Sequence, residues 1–95
     1  MNLYNQIVLK IIREQELLMG PVAWHQASRV RGLRISDSSK GIVAIEEGAD
    51  GSIVVNNLVD QYENLFGRAG REVCKDAVGA LVADLQPSQV PSSLR

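Results

Sequence analysis

Gly67 splits the stretch from Ile53 to Leu85 into two segments whose apolar residues recur at helical spacing. Ahead of it, Val54, Val55, Leu58, Val59, Tyr62, Leu65 and Phe66 share one face of a helix predicted over residues 52–66. Behind it, Ala69, Val73, Cys74, Ala77, Val78, Leu81, Val82 and Leu85 share one face of a helix predicted over residues 68–85. Two apolar faces meeting at one glycine call for a packed helix pair, inside one chain or between two. The second segment also carries a file of small side chains, Ala69, Gly70, Cys74, Ala77, Gly79 and Ala80, and small residues let a neighbouring backbone come close. Gly79 weakens its helix by roughly 1 kcal/mol relative to alanine, so it is expected to mark such an approach.

Upstream, Leu3, Tyr4, Ile7, Val8, Ile11, Ile12 and Leu18 trace one face of a helix over residues 2–19, a stripe that broadens toward Leu17 and Met19. Gly20 and Pro21 stop it, because a residue before proline is pushed out of the α region while proline itself fits the first turn of a new helix. That second helix, over residues 21–30, has Val22, Ala23, Gln26, Ala27 and Val30 on its stripe, with Trp24 and His25 beside it. Gly32 closes it as a left-handed cap. Residues 33–36 and 42–46 are rich in β-branched side chains and flank a polar connection, Asp37 to Gly41, which predicts a β-hairpin. Ile53, Val54 and Val55 suit a third short strand, but the helical spacing that runs on from Val54, with Asp50 or Ser52 as a cap, favours helix. Residues 86–95, with Pro87, Pro91 and three serines, read as a flexible extended tail.

The expected architecture is therefore one compact α+β domain over residues 1–85: two N-terminal helices, a central hairpin and two C-terminal helices. A chain of 95 residues buries somewhat over 60% of its unfolded surface, roughly, so a monomer is marginal and an uncovered apolar stripe favours self-association. The composition, 45% hydrophobic and 22% charged, excludes a disordered chain. Lys10, Arg13 and Glu14 interrupt the first apolar segment, which reads as neither a signal peptide nor a membrane span. One cysteine allows no internal disulfide, and a reducing cytoplasm is the expected setting.

Charge is polarised along the chain. Through Lys40, six basic residues outnumber three acidic ones; from Gly41 onward, eight acidic residues outnumber four basic ones. Arg29, Arg31, Arg34 and Lys40 fall at the end of a helix and in the adjoining hairpin, an outline compatible with a nucleic-acid backbone contact. Against that, the chain is slightly acidic overall, no aromatics interleave with these cations, and four cations are few for counterion-release binding.

Cys74 has Arg71 and Lys75 close in sequence, neighbours that lower a thiol pKa when they reach it. Its place on an apolar face argues instead for a small buried residue. His25 is the sole imidazole, and no spacing brings it to Cys74 as a base. One histidine and one cysteine do not fill a tetrahedral metal site. Gly67 and Gly70 precede a helix but follow no strand and lack a Gly-Lys-Ser/Thr continuation, so no cofactor loop is expected. Trp24 is a candidate contact for a protein partner, since tryptophan is enriched at interface hot spots.

These readings point to a non-catalytic interaction or regulatory protein, self-associating as a homodimer through its first or last helix, without cofactor, metal or membrane partner. The alternative is a nucleic-acid-binding protein using residues 29–40.

Overall fold

The computed structural model describes residues 3–95. Four helices flank one antiparallel hairpin in the order α1 (Leu3–Met19), α2 (Val22–Ala27), β1 (Leu33–Asp37), β2 (Ile42–Ile45), α3 (Gly51–Phe66) and α4 (Arg68–Val82), followed by two single-turn 3-10 helices at Pro87–Gln89 and Ser92–Leu94. This is the α+β layout expected from the hydrophobic pattern.

The choice at residues 52–55 falls to helix. Asp50 takes an extended backbone and its carboxylate accepts the Ser52 and Ile53 amides at 2.9 and 3.3 Å, satisfying donors that a helix start leaves orphaned. With α3 begun there, Val54, Val55, Leu58, Val59 and Tyr62 all point into the core. The opposite boundary is set by Gly67 at φ 66°, ψ −151°, a conformation that only glycine takes without strain. It lets α4 start one residue after α3 stops.

α1 is the central element, packing on α4, α3, α2 and β2. Ile7, Val8, Ile11 and Ile12 are fully buried along it, and the next position of the stripe is a glutamine, Gln15, also fully buried. Its Nε2 donates to the Gly70 carbonyl at 3.0 Å and to Cys74 Sγ at 3.4 Å. Those two bonds fix the axial position of α1 against the first turns of α4. Gln15 Oε1 is the one buried side-chain oxygen or nitrogen without a hydrogen-bond partner among the described residues.

The small-residue file separates into used and unused halves. A Cβ added to Gly70 would lie 2.7 Å from the Tyr62 carbonyl oxygen, so the close backbone approach expected of this file is real at its N-terminal end. Cys74 and Ala77 continue on the packed side, whereas Ala69, Gly79 and Ala80 are exposed, and a Cβ on Gly79 would meet nothing within 4 Å. The close neighbour expected at Gly79 is absent from the described residues of this chain.

Several boundaries move inward from the sequence expectation. α2 ends at Ala27 rather than Val30, with the Ser28 hydroxyl donating back to the His25 carbonyl at 2.6 Å and turns leading to Gly32. α4 ends at Val82 rather than Leu85. The largest difference lies at the C-terminus. The segment expected to extend as a flexible tail is laid against the helices, with Pro91, Ser93 and Leu94 buried. The Ser93 amide and hydroxyl both donate to Asn56 Oδ1 on α3, at 3.0 and 2.6 Å. Arg71 Nε on α4 donates to the Ser93 carbonyl at 3.2 Å, and the Tyr4 hydroxyl on α1 donates to the Gln89 carbonyl at 2.7 Å. Polar partners on three helices thus supply what an apolar periodicity could not announce.

Candidate interaction surfaces

The residues singled out by sequence separate once they are placed on the fold. Trp24 is buried, with its indole N–H donating to Glu16 Oε2 at 2.7 Å. It therefore ties α2 to the end of α1, and a tryptophan so held presents little surface to a partner. Arg29, Arg31, Arg34 and Lys40 are all exposed. The ion pairs among the described residues are Lys10–Glu14 at 3.4 Å and Arg71–Glu63 at 3.8 Å, so none of these four cations is matched by a carboxylate.

Cys74 is fully buried. Burial pushes its thiol up to about 11, outweighing the opposing pull of the Gln15 hydrogen bond. The neighbour that touches its sulfur is Gln15, while His25 is exposed on α2. A base and an accessible thiolate are what nucleophilic cysteine chemistry requires, and neither is present at this sulfur. A thiol reagent such as dithionitrobenzoate is expected to label the native protein only as fast as it opens, with complete labelling in denaturant; a rapid stoichiometric reaction under native conditions contradicts this. No group of three or more His, Cys, Asp or Glu side chains placed to hold a metal occurs among the described residues, and none of their helices is long and apolar enough to cross a membrane.

The surface with the strongest chemical character lies at one end of the molecule. The Gln15–Gly70 bond brings the end of α1 to the start of α4, and the Tyr62 hydroxyl, donating to the Ala23 carbonyl at 2.7 Å, brings the end of α3 to the start of α2. Large apolar side chains are exposed on these helix ends: Leu17 is 80% exposed and Leu18 61%, with Val22, Leu65 and Phe66 each close to half exposed. Leu17 and Leu18 also line a shallow groove of about 540 Å³ with Val73 and Ala77 of α4, rimmed by Lys10, Glu14 and Asp76. The helical period places Leu65 and Phe66 on the buried face of α3. They stay half exposed because α4 turns back at Gly67 and its first close contact, at Gly70, falls on the Tyr62 carbonyl and on no more of Phe66 than its Cβ.

The broadening of the α1 stripe at Leu17 is the one sequence signal for this surface. Nothing in the sequence shows that Leu18, Leu65 and Phe66 share it, since they belong to different helices. No family model, curated protein or solved structure matches the chain.

Proposed function

We propose that this is a small, non-catalytic protein-interaction module that self-associates through the apolar end formed by α1 and α4. The observation that carries the reading is the exposure of Leu17 and Leu18 side by side at 80% and 61%, next to an open groove between the same two helices. Exposed leucines occur singly on most proteins, whereas two in succession flanking a groove with Val73 and Ala77 form the kind of patch that marks a contact surface. A second copy is the chosen occupant because an apolar patch matches its own copy in character, and two-fold pairing is the commonest arrangement in soluble oligomers. The buried, protonated Cys74 supports the non-catalytic part of the reading and suits a cytoplasmic setting.

Sedimentation velocity across micromolar to millimolar concentration tests this. The wild type is expected to sediment as twice its 10.4 kDa chain mass, and the Leu17→Asp, Leu18→Asp double variant as a single chain with unchanged circular dichroism. A wild type that remains a single chain throughout that range overturns self-association.

A further inference from the structure

We infer that the free edge of β1 is a docking site for an extended acidic segment of another protein, added as a third strand. The hairpin is the only sheet among the described residues, and its two edges are not equivalent. The Glu46 amide donates to the Gly32 carbonyl at 2.8 Å, and the register pairs Leu33 with Ile45, Arg34 with Ala44 and Ile35 with Val43. In an antiparallel ladder, hydrogen-bonded and non-hydrogen-bonded pairs alternate. The backbone groups of Arg34 therefore face β2, while those of Leu33, Ile35 and Ile45 face away from the hairpin.

On the β2 side that edge is closed. β2 packs beside α1, and the Ile45 amide donates to Asn5 Oδ1 of α1 at 2.9 Å. On the β1 side the Leu33 amide is used locally, donating to the Val30 carbonyl at 3.3 Å. The Ile35 amide, the Ile35 carbonyl and the Leu33 carbonyl have no partner beyond the hairpin among the described residues. They stand at strand spacing, one donor and one acceptor on the half-buried Ile35 and a second acceptor on Leu33, which is 7% exposed. The register breaks between Ile35 and Asp37, so the pairing surface is short, and proteins often blunt free edges in this way. A short ladder alone binds weakly. What makes this one selective is its charge.

Arg31, Arg34 and Lys40 lie along this segment, exposed and without carboxylate partners, while Arg29 lies apart, lining a depression with Gln26, Gln61, Asn64 and Leu65. Of the nearby acids, Asp37 is already engaged by the Ser39 hydroxyl and the Lys40 amide, bonds that hold its carboxyl below the usual range, and Glu46, on the outer face that Arg34 shares, forms no ion pair with it. Arg34 projects from the outer face of the sheet, opposite Ala44, which leaves room around it. A strand laid against β1 with carboxylates on alternate residues places them on the face that Arg34 occupies. A second copy is the wrong occupant, because pairing β1 with β1 sets the arginines of both chains against each other. Nucleic acid would match the charge but leave the ladder groups of Ile35 and Leu33 unused. The site is separate from the apolar end, so this inference and self-association fail independently.

The test is fluorescence anisotropy with a short, labelled, soluble peptide alternating valine and glutamate. Saturable binding is expected, weakened about tenfold or more in the Arg31→Gln, Arg34→Gln variant, with the Ile35 amide among the nuclear magnetic resonance signals that shift. The same peptide with alternate backbone amides methylated keeps its charge but loses its ladder bonds, and is expected to bind at least as weakly. Equal binding by the methylated peptide reduces the site to charge alone and overturns strand addition. Absence of binding by the acidic peptide, or tighter arginine-dependent binding of a single-stranded oligonucleotide, overturns the choice of partner.

Discussion

Tyr62→Ala is expected to lower the unfolding free energy by about 3–5 kcal/mol, read from urea denaturation at neutral pH. Tyr62 is the largest fully buried side chain of the fold, and three elements depend on it. Its ring belongs to the packed face of α3, its hydroxyl reaches the Ala23 carbonyl of α2 at 2.7 Å, and its own carbonyl lies beneath Gly70 of α4. Against a total stability on the order of 5–15 kcal/mol for a domain of this size, that loss is about a fifth of the total at the least and all of it at the most. Tyr62→Phe separates the contributions: the ring stays, the hydrogen bond goes, and the expected loss is about 1 kcal/mol. A Tyr62→Ala variant within about 0.5 kcal/mol of the wild type, the effect of an ordinary surface change, contradicts the placement of this ring at the junction of α2, α3 and α4.

The position of Tyr62 on an apolar face is legible in the amino-acid sequence alone, and so is most of the architecture. α1 reads from its repeat of Ile7, Val8, Ile11 and Ile12, and α3 from the run that begins at Val54, because burial of one helix face imposes a period that the residues display directly. What cannot be read there depends on partners distant in sequence. Trp24 goes inside because Glu16, one helix earlier, accepts its N–H. Ser93 is buried because Asn56 meets it from α3 and Arg71 reaches the same residue from α4. Leu65 and Phe66 continue the helical period of Tyr62 yet remain outside, since periodicity gives the direction of a side chain but not the length over which a neighbour covers it. The same limit applies to Gly79, whose small size fits a contact that the described residues do not make.

The candidate surfaces are legible to an unequal degree. Arg29, Arg31, Arg34 and Lys40 are identifiable as a basic run, and their exposure follows from ordinary side-chain hydration. The relation of the last three to a free strand edge is not, because it depends on which backbone groups of β1 face away from β2, a matter of register. The apolar end is still harder to foresee. It is assembled from the ends of α1 and α3 and the starts of α2 and α4, brought together by Gln15 and Tyr62, and no contiguous stretch of sequence contains it.

Alkaline pH is expected to unfold the protein through the same buried cluster. Desolvation raises the Cys74 thiol from its ordinary 9.0 to about 11 and raises the Tyr62 phenol above its ordinary 10.0. In both cases the neutral form carries the proton. Between the unfolded and folded pKa values the unfolded chain therefore binds fewer protons than the folded one, and stability falls as pH rises. The contribution of Cys74 is fully present below about pH 9 and is lost by about pH 11, a decline of about 2–3 kcal/mol at 1.36 kcal/mol per unit. Tyr62 adds its own decline from about pH 10 upward. Cys74→Ala separates the two, because it removes the thiol and leaves the phenol. Urea midpoints of the wild type are expected to drop already between pH 9 and 10, while those of Cys74→Ala hold across that interval and fall only above it. Identical profiles for the two proteins would show that the thiol ionises as readily in the folded chain as in the unfolded one, which its burial beneath Gln15 does not allow.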